Sequence, residues 1–332
     1  MNVIVKSGRI ALTMVLIAAK PILRLKLWPA IFVVNAGSES DIKSYLPLWV
    51  LKVVPKHNLY AIGFYRISWA CWALVLGTPA SNEELDRDPE LMAKVVNGVK
   101  RWKGRRIALT GILTAYAVKH RCWPDADGRF VLGSYGTPYL FRINIKELSR
   151  RFGKDVIEKT PVGVVGYGYT GKRVATYLRG IGYTVYGFDQ LNDRDEGVHF
   201  MGSDFGRLQE CGLIVLMTTC GDGGLDTIAS HIQKGQVVLA DTHPKPTSKG
   251  WATVTSRGGI AAECGALFSA GMFWPKLPRW GSKNTLGCSM QAIAEAATKT
   301  LADTQADFDV LADRVGIESM IEYPALSREA KG

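Results

Sequence analysis

The chain has 332 residues, of which 47% are hydrophobic and 21% are charged. This composition excludes a disordered or fibrous protein, and the length favours two domains. The 41 lysines and arginines outnumber the 30 acidic residues, which gives a formal charge of +11 and favours an acidic partner. The six cysteines are scattered, with no CxxC pair and no Cys/His cluster at zinc spacing. We therefore expect a cytoplasmic protein without a metal site.

An apolar run near the N-terminus, from Ile10 to Ala19, is too short to span a bilayer as a helix, which takes about 20 residues. Three interpretations stay open: the core of a cleaved signal peptide, a basic helix at a membrane surface, and a helix buried in the core or at a dimer interface. Lys20-Pro21 directly after the run, with Arg24 and Lys26 beyond it, counts against cleavage. We expect a homo-oligomer, with peripheral membrane contact as the alternative.

The first part of the chain alternates between strand and helix signals. Ala30 to Asn35 (AIFVVN) and Ile107 to Thr110 (IALT) are apolar, which predicts two buried strands. Asp88-Pro89 and Thr137-Pro138 each place a capping residue before a proline, which predicts the starts of two helices. We place a boundary at the second of these, so residues 1–136 form an α/β domain that binds substrate or a partner.

The clearest local signal lies between Pro161 and Gln190 (PVGVVGYGYTGKRVATYLRGIGYTVYGFDQ). A strand leads into GYGYTG, a GxGxxG turn, and a second strand ends at Asp189, 18 residues after the last glycine. Gly166 makes the tight turn, Gly168 lets the backbone approach a pyrophosphate, and Gly171 permits close packing of helix on strand. The following helix N-terminus offers N–H groups to the phosphates. The pattern predicts a dinucleotide-binding Rossmann unit.

Two more apolar segments, Gly212 to Thr219 and Gln236 to Asp241, predict parallel strands buried on both faces. The candidate cofactor-binding residues are Gly166, Gly168, Tyr169, Thr170, Gly171, Asp189, Gln190, Thr218 and Thr219. The carboxylate of Asp189 favours NAD(H), because it repels a 2′-phosphate, whereas the nearby Arg194 leaves NADP(H) open. The predicted fold class is α/β: an N-terminal α/β domain, a doubly wound Rossmann-type parallel sheet over residues 137–282, and a C-terminal helical segment over residues 283–332.

Cys288 stands just before an Ala-rich helix that includes Gln291. The N–H groups and the dipole of a helix N-terminus lower the pKa of a thiol, and Lys283 adds positive charge nearby. This position predicts a reactive thiolate. A small buried cysteine of the core fits the same pattern.

Several segments recur along the chain in the order found in one enzyme family. They are YLPLWVLKVVPKH from Tyr45 to His57, Leu76 to Trp102, LGSYGTPYL from Leu132 to Leu140, the Rossmann unit, VLADTHPKP from Val238 to Pro246, and Gly287-Cys288. Over roughly Ala30 to Met320 the chain resembles the fatty acyl-ACP reductases, which form aldehydes from acyl thioesters. It departs from that family in its GYGYTG turn and in Asp189.

The resemblance implies that the Cys288 thiolate attacks an acyl thioester and forms an acyl-enzyme, which hydride from NAD(H) or NADP(H) reduces to an aldehyde. Ser134, in the loop from Gly133 to Thr137, and backbone N–H groups near Cys288 are candidates to stabilise the oxyanion. His243 is a candidate proton donor, although a structural histidine at a strand end explains it equally. The implied partner is an acidic acyl carrier protein or acyl-CoA. The candidate docking patch consists of Arg101, Lys103, Arg105 and Arg106.

Two alternatives stay open. The Rossmann glycines and Asp189 also resemble the D-2-hydroxyacid dehydrogenases, but those enzymes use an arginine and a late histidine. After Asp241 this chain has Thr242-His243-Pro244-Lys245, with no arginine. The other alternative is a catalytically silent NAD(H)-binding module. The sequence carries no nucleic-acid-binding motif, so we expect no nucleic-acid partner.

Overall fold

The computed structural model describes residues 3–36, 43, 53–123, 128–131, 133–153, 157, 159–190, 199–242, 244–275, 284–285 and 287–324. The chain divides into two compact units. The first is formed by Met1–Gly136 and Leu267–Ile317, and the second by Thr137–Ala266 and Glu318–Gly332. Each unit contains a six-stranded sheet with helices, which confirms the α/β fold class.

The secondary structure alternates between helices and strands along most of the described chain. The helices are α1 (Val3–Ala18), α2 (Lys20–Leu25), α3 (Asn82–Arg87), α4 (Pro89–Lys100), α5 (Leu113–Lys119), α6 (Gly136–Phe152), α7 (Tyr169–Gly180), α8 (Gly221–Ile228), α9 (Ser248–Ser256), α10 (Gly287–Thr298) and α11 (Gln305–Val315). The strands are β1 (Trp28–Ala36), β2 (Tyr60–Arg66), β3 (Trp72–Ser81), β4 (Gly104–Leu109), β5 (Phe130–Val131), β6 (Val162–Val165), β7 (Val185–Phe188), β8 (His199–Gly202), β9 (Leu213–Leu216), β10 (Val237–Ala240), β11 (Ile260–Glu263), β12 (Ala266–Phe268), β13 (Met272–Trp274), β14 (Asn284–Thr285) and β15 (Ile317–Ser319). Two 3₁₀ turns span Phe205–Glu210 and Ala229–His231.

The sheet of the first unit has the order β13-β2-β3-β1-β4-β5. Strand β1 pairs in parallel with β3 and β4, and β2 runs antiparallel to β3. Ile31, Leu74, Leu76 and Ile107 are fully buried, as expected for strands covered on both faces. Helix α4 begins as predicted, because the Asp88 carboxylate accepts a hydrogen bond from the first-turn backbone at 2.9 Å and proline follows it.

The aromatic-rich region after residue 58 forms β2 and β3, which the sequence analysis did not assign as strands. Tyr65 is fully buried, its ring packs edge-on against Phe32 and Phe273, and its hydroxyl lies 2.8 Å from the hydroxyl of Thr285. Trp69, in contrast, is 90% exposed. Tyr65 therefore belongs to the packed core of the first unit.

The apolar run near the N-terminus is helical, as α1. Its Leu16 is buried and Leu12 packs against the core of the first unit, whereas Val15 is 63% exposed. Helix α1 is therefore amphipathic, with one face packed on the core of the first unit and another face exposed. None of the helices in the described part of the chain is long and apolar enough to cross a membrane.

The sheet of the second unit has the order β11-β10-β9-β6-β7-β8, and every pairing in it is parallel. Counted from β6, this is the strand order 3-2-1-4-5-6 of the doubly wound Rossmann sheet. All of its central strands are buried on both faces, as Val164, Ile214 and Val238 show. The order reverses between β6 and β9, so the carboxyl ends of these two strands border the crevice where such sheets bind ligands.

The C-terminal part of the chain, predicted as a helical segment over residues 283–332, contributes two helices to the first unit. Helices α10 and α11 belong to the first unit, and α10 packs against β1 and β4. The physical reason is the apolar surface of α10, on which Met290, Ala292 and Ile293 are all fully buried. A helix that is apolar on most of its sides needs a sheet to cover it.

Candidate functional site

The glycine turn after β6 has a backbone that only glycine adopts without strain. Gly166 has φ of +90°, and a Cβ atom at this position would lie 2.7 Å from the carbonyl oxygen of Met217. Gly171 packs directly against the carbonyl group of Gly166, so a side chain there would push helix α7 away from β6. These two glycines hold the start of α7 tightly against the strand.

Gly168 is different, because it faces open space. A Cβ atom there would meet no other atom within 4 Å, and the residue is the N-cap of α7 without any side chain capping the helix. The first N–H groups of α7 are therefore not used by a cap, and a pyrophosphate could approach them closely. Tyr169 and Thr170, both half-buried, form the first turn of α7. The open space at Gly168 and the free N–H groups of α7 are therefore compatible with the pyrophosphate of a dinucleotide.

The other candidate cofactor residues follow the neighbouring strands. Asp189 directly follows β7, is half-buried, and its backbone N–H donates to the carbonyl oxygen of Gly202 at 3.0 Å. Gln190 and Thr219 are exposed. The Thr218 hydroxyl donates to the carbonyl oxygen of Cys220 at 2.8 Å, so it stabilises its own turn. The predicted residues thus lie at the carboxyl ends of β6, β7 and β9, whereas Arg194 lies outside the described residues.

A partly buried charge cluster that the sequence analysis missed follows β10 and β11. The Lys245 ammonium lies 2.6 Å from the Glu263 carboxylate, which also accepts a hydrogen bond from the Trp251 indole at 3.0 Å. Burial lowers the pKa of Lys245, but Glu263, Glu322 and Asp241 outweigh that effect and raise it above its ordinary value. Lys245 is therefore a paired cation. His243 lies outside the described residues.

The thiol site belongs to the first unit. Cys288 is the second residue of α10 and is half-buried. The backbone N–H of Gly111, just beyond the carboxyl end of β4, donates to its sulfur at 3.2 Å. Gly111 itself has φ of +62°, a left-handed conformation that favours glycine. The N-terminus of α10 and a backbone N–H donor thus meet at one sulfur.

The loop after β5 packs against the same cysteine. Gly133 has φ of +66°, and a Cβ atom there would lie 2.6 Å from the Cα of Cys288. Gly136 likewise packs against α10, where its Cβ would lie 3.0 Å from the Cβ of Met290. Ser134 is half-buried in this turn. The turn from Gly133 to Gly136 and the start of α10, far apart in sequence, therefore lie together within the first unit.

A buried ion pair holds α10 against β4. The Glu295 side chain is fully buried and pairs with the Arg106 guanidinium, which is 13% exposed. Glu295 also accepts hydrogen bonds from Gln291 at 3.0 Å and from the backbone of Ala302 at 3.1 Å. Arg106 further donates to the carbonyl oxygen of Gly128. The expectation that Arg106 serves in a docking patch is therefore wrong, since this side chain is used inside the unit.

The rest of the expected docking patch lies far from the thiol. Arg101 and Lys103 precede β4, whereas Gly111 and the Cys288 sulfur lie beyond its carboxyl end. Six strand residues at about 3.3 Å each separate the two edges by roughly 16–20 Å. A carrier bound to this patch would sit at the opposite edge of the sheet from Cys288.

Comparisons with solved structures give dehydrogenases at low similarity. Shikimate 5-dehydrogenase from Thermus thermophilus, in complex with NADP(H) and shikimate, is 17% identical over 88% of this chain and 100% of its own, with a TM-score of 0.43. A D-isomer specific 2-hydroxyacid dehydrogenase from Xanthobacter autotrophicus, in complex with NADPH and MES, is 16% identical over 47% of this chain and 76% of its own, with a TM-score of 0.33.

A 2-hydroxyacid dehydrogenase family protein from Klebsiella pneumoniae is 14% identical over 70% of this chain and 78% of its own, with a TM-score of 0.33. No protein-family model and no curated protein matches the chain. At TM-scores below 0.5, these similarities do not define the function of this chain.

Proposed function

We propose that the protein is an oxidoreductase that uses NAD(H) or NADP(H). The support is the second unit: a Rossmann strand order, a glycine turn with open space at Gly168, an uncapped helix start and an acid after β7. Gly166, Gly168, Gly171 and the first N–H groups of α7 would hold the pyrophosphate, and Asp189 would accept from the adenosine ribose. When bound, the reduced dinucleotide supplies a hydride.

The substrate we propose is an acyl thioester, on an acyl carrier protein or on CoA, which is reduced to an aldehyde. One observation carries this choice: the backbone N–H of Gly111 donates to the sulfur of Cys288 at a helix N-terminus. A cysteine that served only as core filler would need neither of these features. Burial raises the pKa of the Cys211 thiol to about 12, which is the behaviour expected of such a filler.

The chemistry follows from the position of the thiol. The Cys288 sulfur attacks the carbonyl carbon of the thioester, the carbon–sulfur bond to the carrier breaks, and the carrier thiolate leaves and takes up a proton. The N–H groups in the first turn of α10 would stabilise the oxyanion, beside the turn that carries Ser134. A bound reduced dinucleotide would supply the hydride for the acyl carbon, and the Cys288 sulfur would leave as a thiolate when the aldehyde is released.

A dehydrogenase of a small 2-hydroxy or 2-keto acid is the second candidate. The names of the compared structures fit it better than they fit thioester reduction, although their TM-scores carry no argument. Against it, the cation that follows β10 is Lys245, and its ammonium is already paired with Glu263. A cation paired in this way is a poor receptor for the carboxylate of a hydroxy acid.

Intact-mass spectrometry separates the two candidates. The protein is mixed with acyl-CoA or acyl carrier protein thioesters of several chain lengths, without cofactor. We expect an adduct with the mass of the acyl group that is absent in Cys288→Ala and retained in Cys71→Ala, which removes another half-buried thiol of the first unit. Adding NADH or NADPH should discharge the adduct and release aldehyde.

The opposite result is equally informative. The second candidate holds if two results are found together. No acyl adduct forms at any chain length, and the protein reduces a 2-keto acid with NADH or NADPH at a rate that Cys288→Ala leaves unchanged. Cofactor binding without turnover on either substrate class would leave only a dinucleotide-binding module.

A further inference from the structure

The amino-terminal edge of the first sheet carries an apolar and basic surface. We define the α2 surface as Lys20–Leu27 together with Arg101–Lys103. Three of its aliphatic side chains are strongly exposed: Ile22 by 74%, Leu25 by 71% and Leu27 by 53%. A cluster of large aliphatic side chains that are this strongly exposed marks an interaction surface.

The same surface holds five cations and no acid. Three of them lie over aromatic rings: Lys20 over Tyr60 at 5.3 Å, Arg24 over Trp102 at 5.4 Å and Lys26 over Trp28 at 4.4 Å. Among the residues that the structure describes, none of the five forms an ion pair. Aromatic faces hold these three cations without pairing them with an acid, so the surface stays positively charged.

Positive charge is crowded at this surface. Burial lowers the pKa of Lys20, and the nearby Arg24 and Arg101 lower it further. An anion bound at this surface would relieve the repulsion between these cations.

We propose that the α2 surface binds the anionic headgroups of a lipid bilayer, with Ile22, Leu25 and Leu27 inserted among the acyl chains. Exposed aliphatic side chains beside Lys and Arg form the pattern of a helix that lies in the membrane interface. Each cation near an anionic leaflet strengthens such binding. The inference concerns a surface apart from the thiol and the glycine turn, so it does not depend on the proposed reaction.

Two other occupants fit the surface less well. A symmetric dimer through α2 would bring five cations against five cations, because both copies of a two-fold interface present the same patch. An acidic carrier protein would have to deliver its thioester to Cys288, yet the α2 surface lies at the amino ends of β1 and β4 and the thiol lies beyond their carboxyl ends.

Vesicle flotation tests the proposal with the full-length chain. Vesicles of phosphatidylcholine mixed with phosphatidylglycerol should carry the protein upward at low salt, and vesicles of phosphatidylcholine alone should carry far less. The double variants Ile22→Ser/Leu25→Ser and Lys26→Glu/Lys103→Glu should each lower the partition coefficient by about tenfold or more. All four side chains are exposed, so circular dichroism should show an intact fold.

Matched controls use exposed residues elsewhere. Leu301→Ser/Val310→Ser removes two aliphatic side chains that are 59% and 65% exposed, and Lys234→Glu/Lys249→Glu reverses two exposed lysines. Both should float like the wild type. The proposal is overturned by absence of flotation with anionic vesicles at low salt, or by equal losses in the controls. It is also overturned if Ile22→Ser/Leu25→Ser abolishes a dimer in sedimentation, or the binding of an acidic carrier protein, and leaves lipid binding unchanged.

Discussion

The amide nitrogen of Gly111 lies 3.2 Å from the sulfur of Cys288, although 177 residues separate the two in sequence. The donor lies just beyond the end of β4, and the acceptor is the second residue of α10. Two elements from distant parts of the chain therefore share one polar contact in the first unit, and the packing of α10 on β4 keeps it in place. The proposed chemistry depends on this contact.

The close approach of Gly133 to Cys288 predicts a specific effect of an added methyl group. In Gly133→Ala, the new Cβ would overlap the Cα of Cys288, so the Gly133 turn and the start of α10 must move apart, which should disturb the contact between the thiol and Gly111. We expect acyl-adduct formation to fall by at least about tenfold, in addition to the roughly 1–2 kcal/mol cost of alanine at positive φ. Both the adduct rate and the free energy of unfolding are measured.

Gly316→Ala is the matched control for that variant. Gly316 also has positive φ, at +73°, but a Cβ atom there would meet nothing within 4 Å. It should lose similar stability from backbone strain and keep the full adduct rate. Equal adduct rates in the two variants would contradict the proposed role of the contact.

The cysteines should differ in their reaction with iodoacetamide. Cys71, Cys122 and Cys288 are all half-buried. Burial raises the pKa of the Cys71 and Cys122 thiols, so both stay largely protonated at about pH 8, near the ordinary pKa of a free thiol. Cys288, with its N–H donor, should be alkylated faster than either, as peptide mass mapping over time can measure.

The rates should also depend on pH in a defined direction. Because a raised pKa keeps a thiol protonated to higher pH, alkylation of Cys71 and Cys122 should accelerate mainly above the ordinary thiol pKa of about 8.5. Cys288, whose sulfur accepts a hydrogen bond from the Gly111 amide, should react faster than either across this pH range. A Cys288 rate that follows the other two would speak against a thiolate site.

The open space at Gly168 predicts a loss of cofactor binding without a loss of stability. In Gly168→Ala the methyl group meets no protein atom, but it occupies the space through which a pyrophosphate would approach α7. We expect NADH to bind at least about tenfold more weakly, a change of about 1.4 kcal/mol, in titration calorimetry. Thermal unfolding of the free protein should change little.

Gly180→Ala provides the comparison, because it lies at the other end of the same helix and also faces open space. NADH affinity should be unchanged there. If both variants bind NADH like the wild type, the glycine turn does not hold the pyrophosphate.

The ion pair between Arg106 and Glu295 should matter strongly for stability. Arg106→Ala would leave the fully buried Glu295 carboxylate without its counterion, which costs about 3 kcal/mol or more. Urea unfolding measures this loss. Lys94→Ala breaks an exposed pair with Glu90 and should cost no more than about 0.5 kcal/mol. Similar costs for the two variants would contradict the buried character of the first pair.

Much of the second unit was predictable from local sequence. Its strands are short runs of apolar residues buried on both faces, and the glycine turn between β6 and α7 has a strict spacing, so motif and fold coincide. The helix start at Asp88-Pro89 was visible for the same reason, since capping is a local property.

The site residues that the sequence did not reveal depend on contacts between distant segments. Glu295 has the pattern of an ordinary helix residue, and only the packing of α10 on β4 brings it to Arg106. Lys245 and Glu263 meet because β10 and β11 are neighbours in the sheet. The assignment of Arg106 to a surface patch failed because a run of basic residues does not show which of them faces inward.

The first unit is assembled from two stretches of chain, Met1–Gly136 and Leu267–Ile317, with the whole second unit encoded between them except for its last residues. On the ribosome, the second unit is therefore synthesised in nearly complete form before α10, the helix that packs on β1 and β4, has been made. Until α10 emerges, that part of the nascent chain keeps apolar surface open to chaperones, and a product that terminated early would lack the residue on which the proposed chemistry depends.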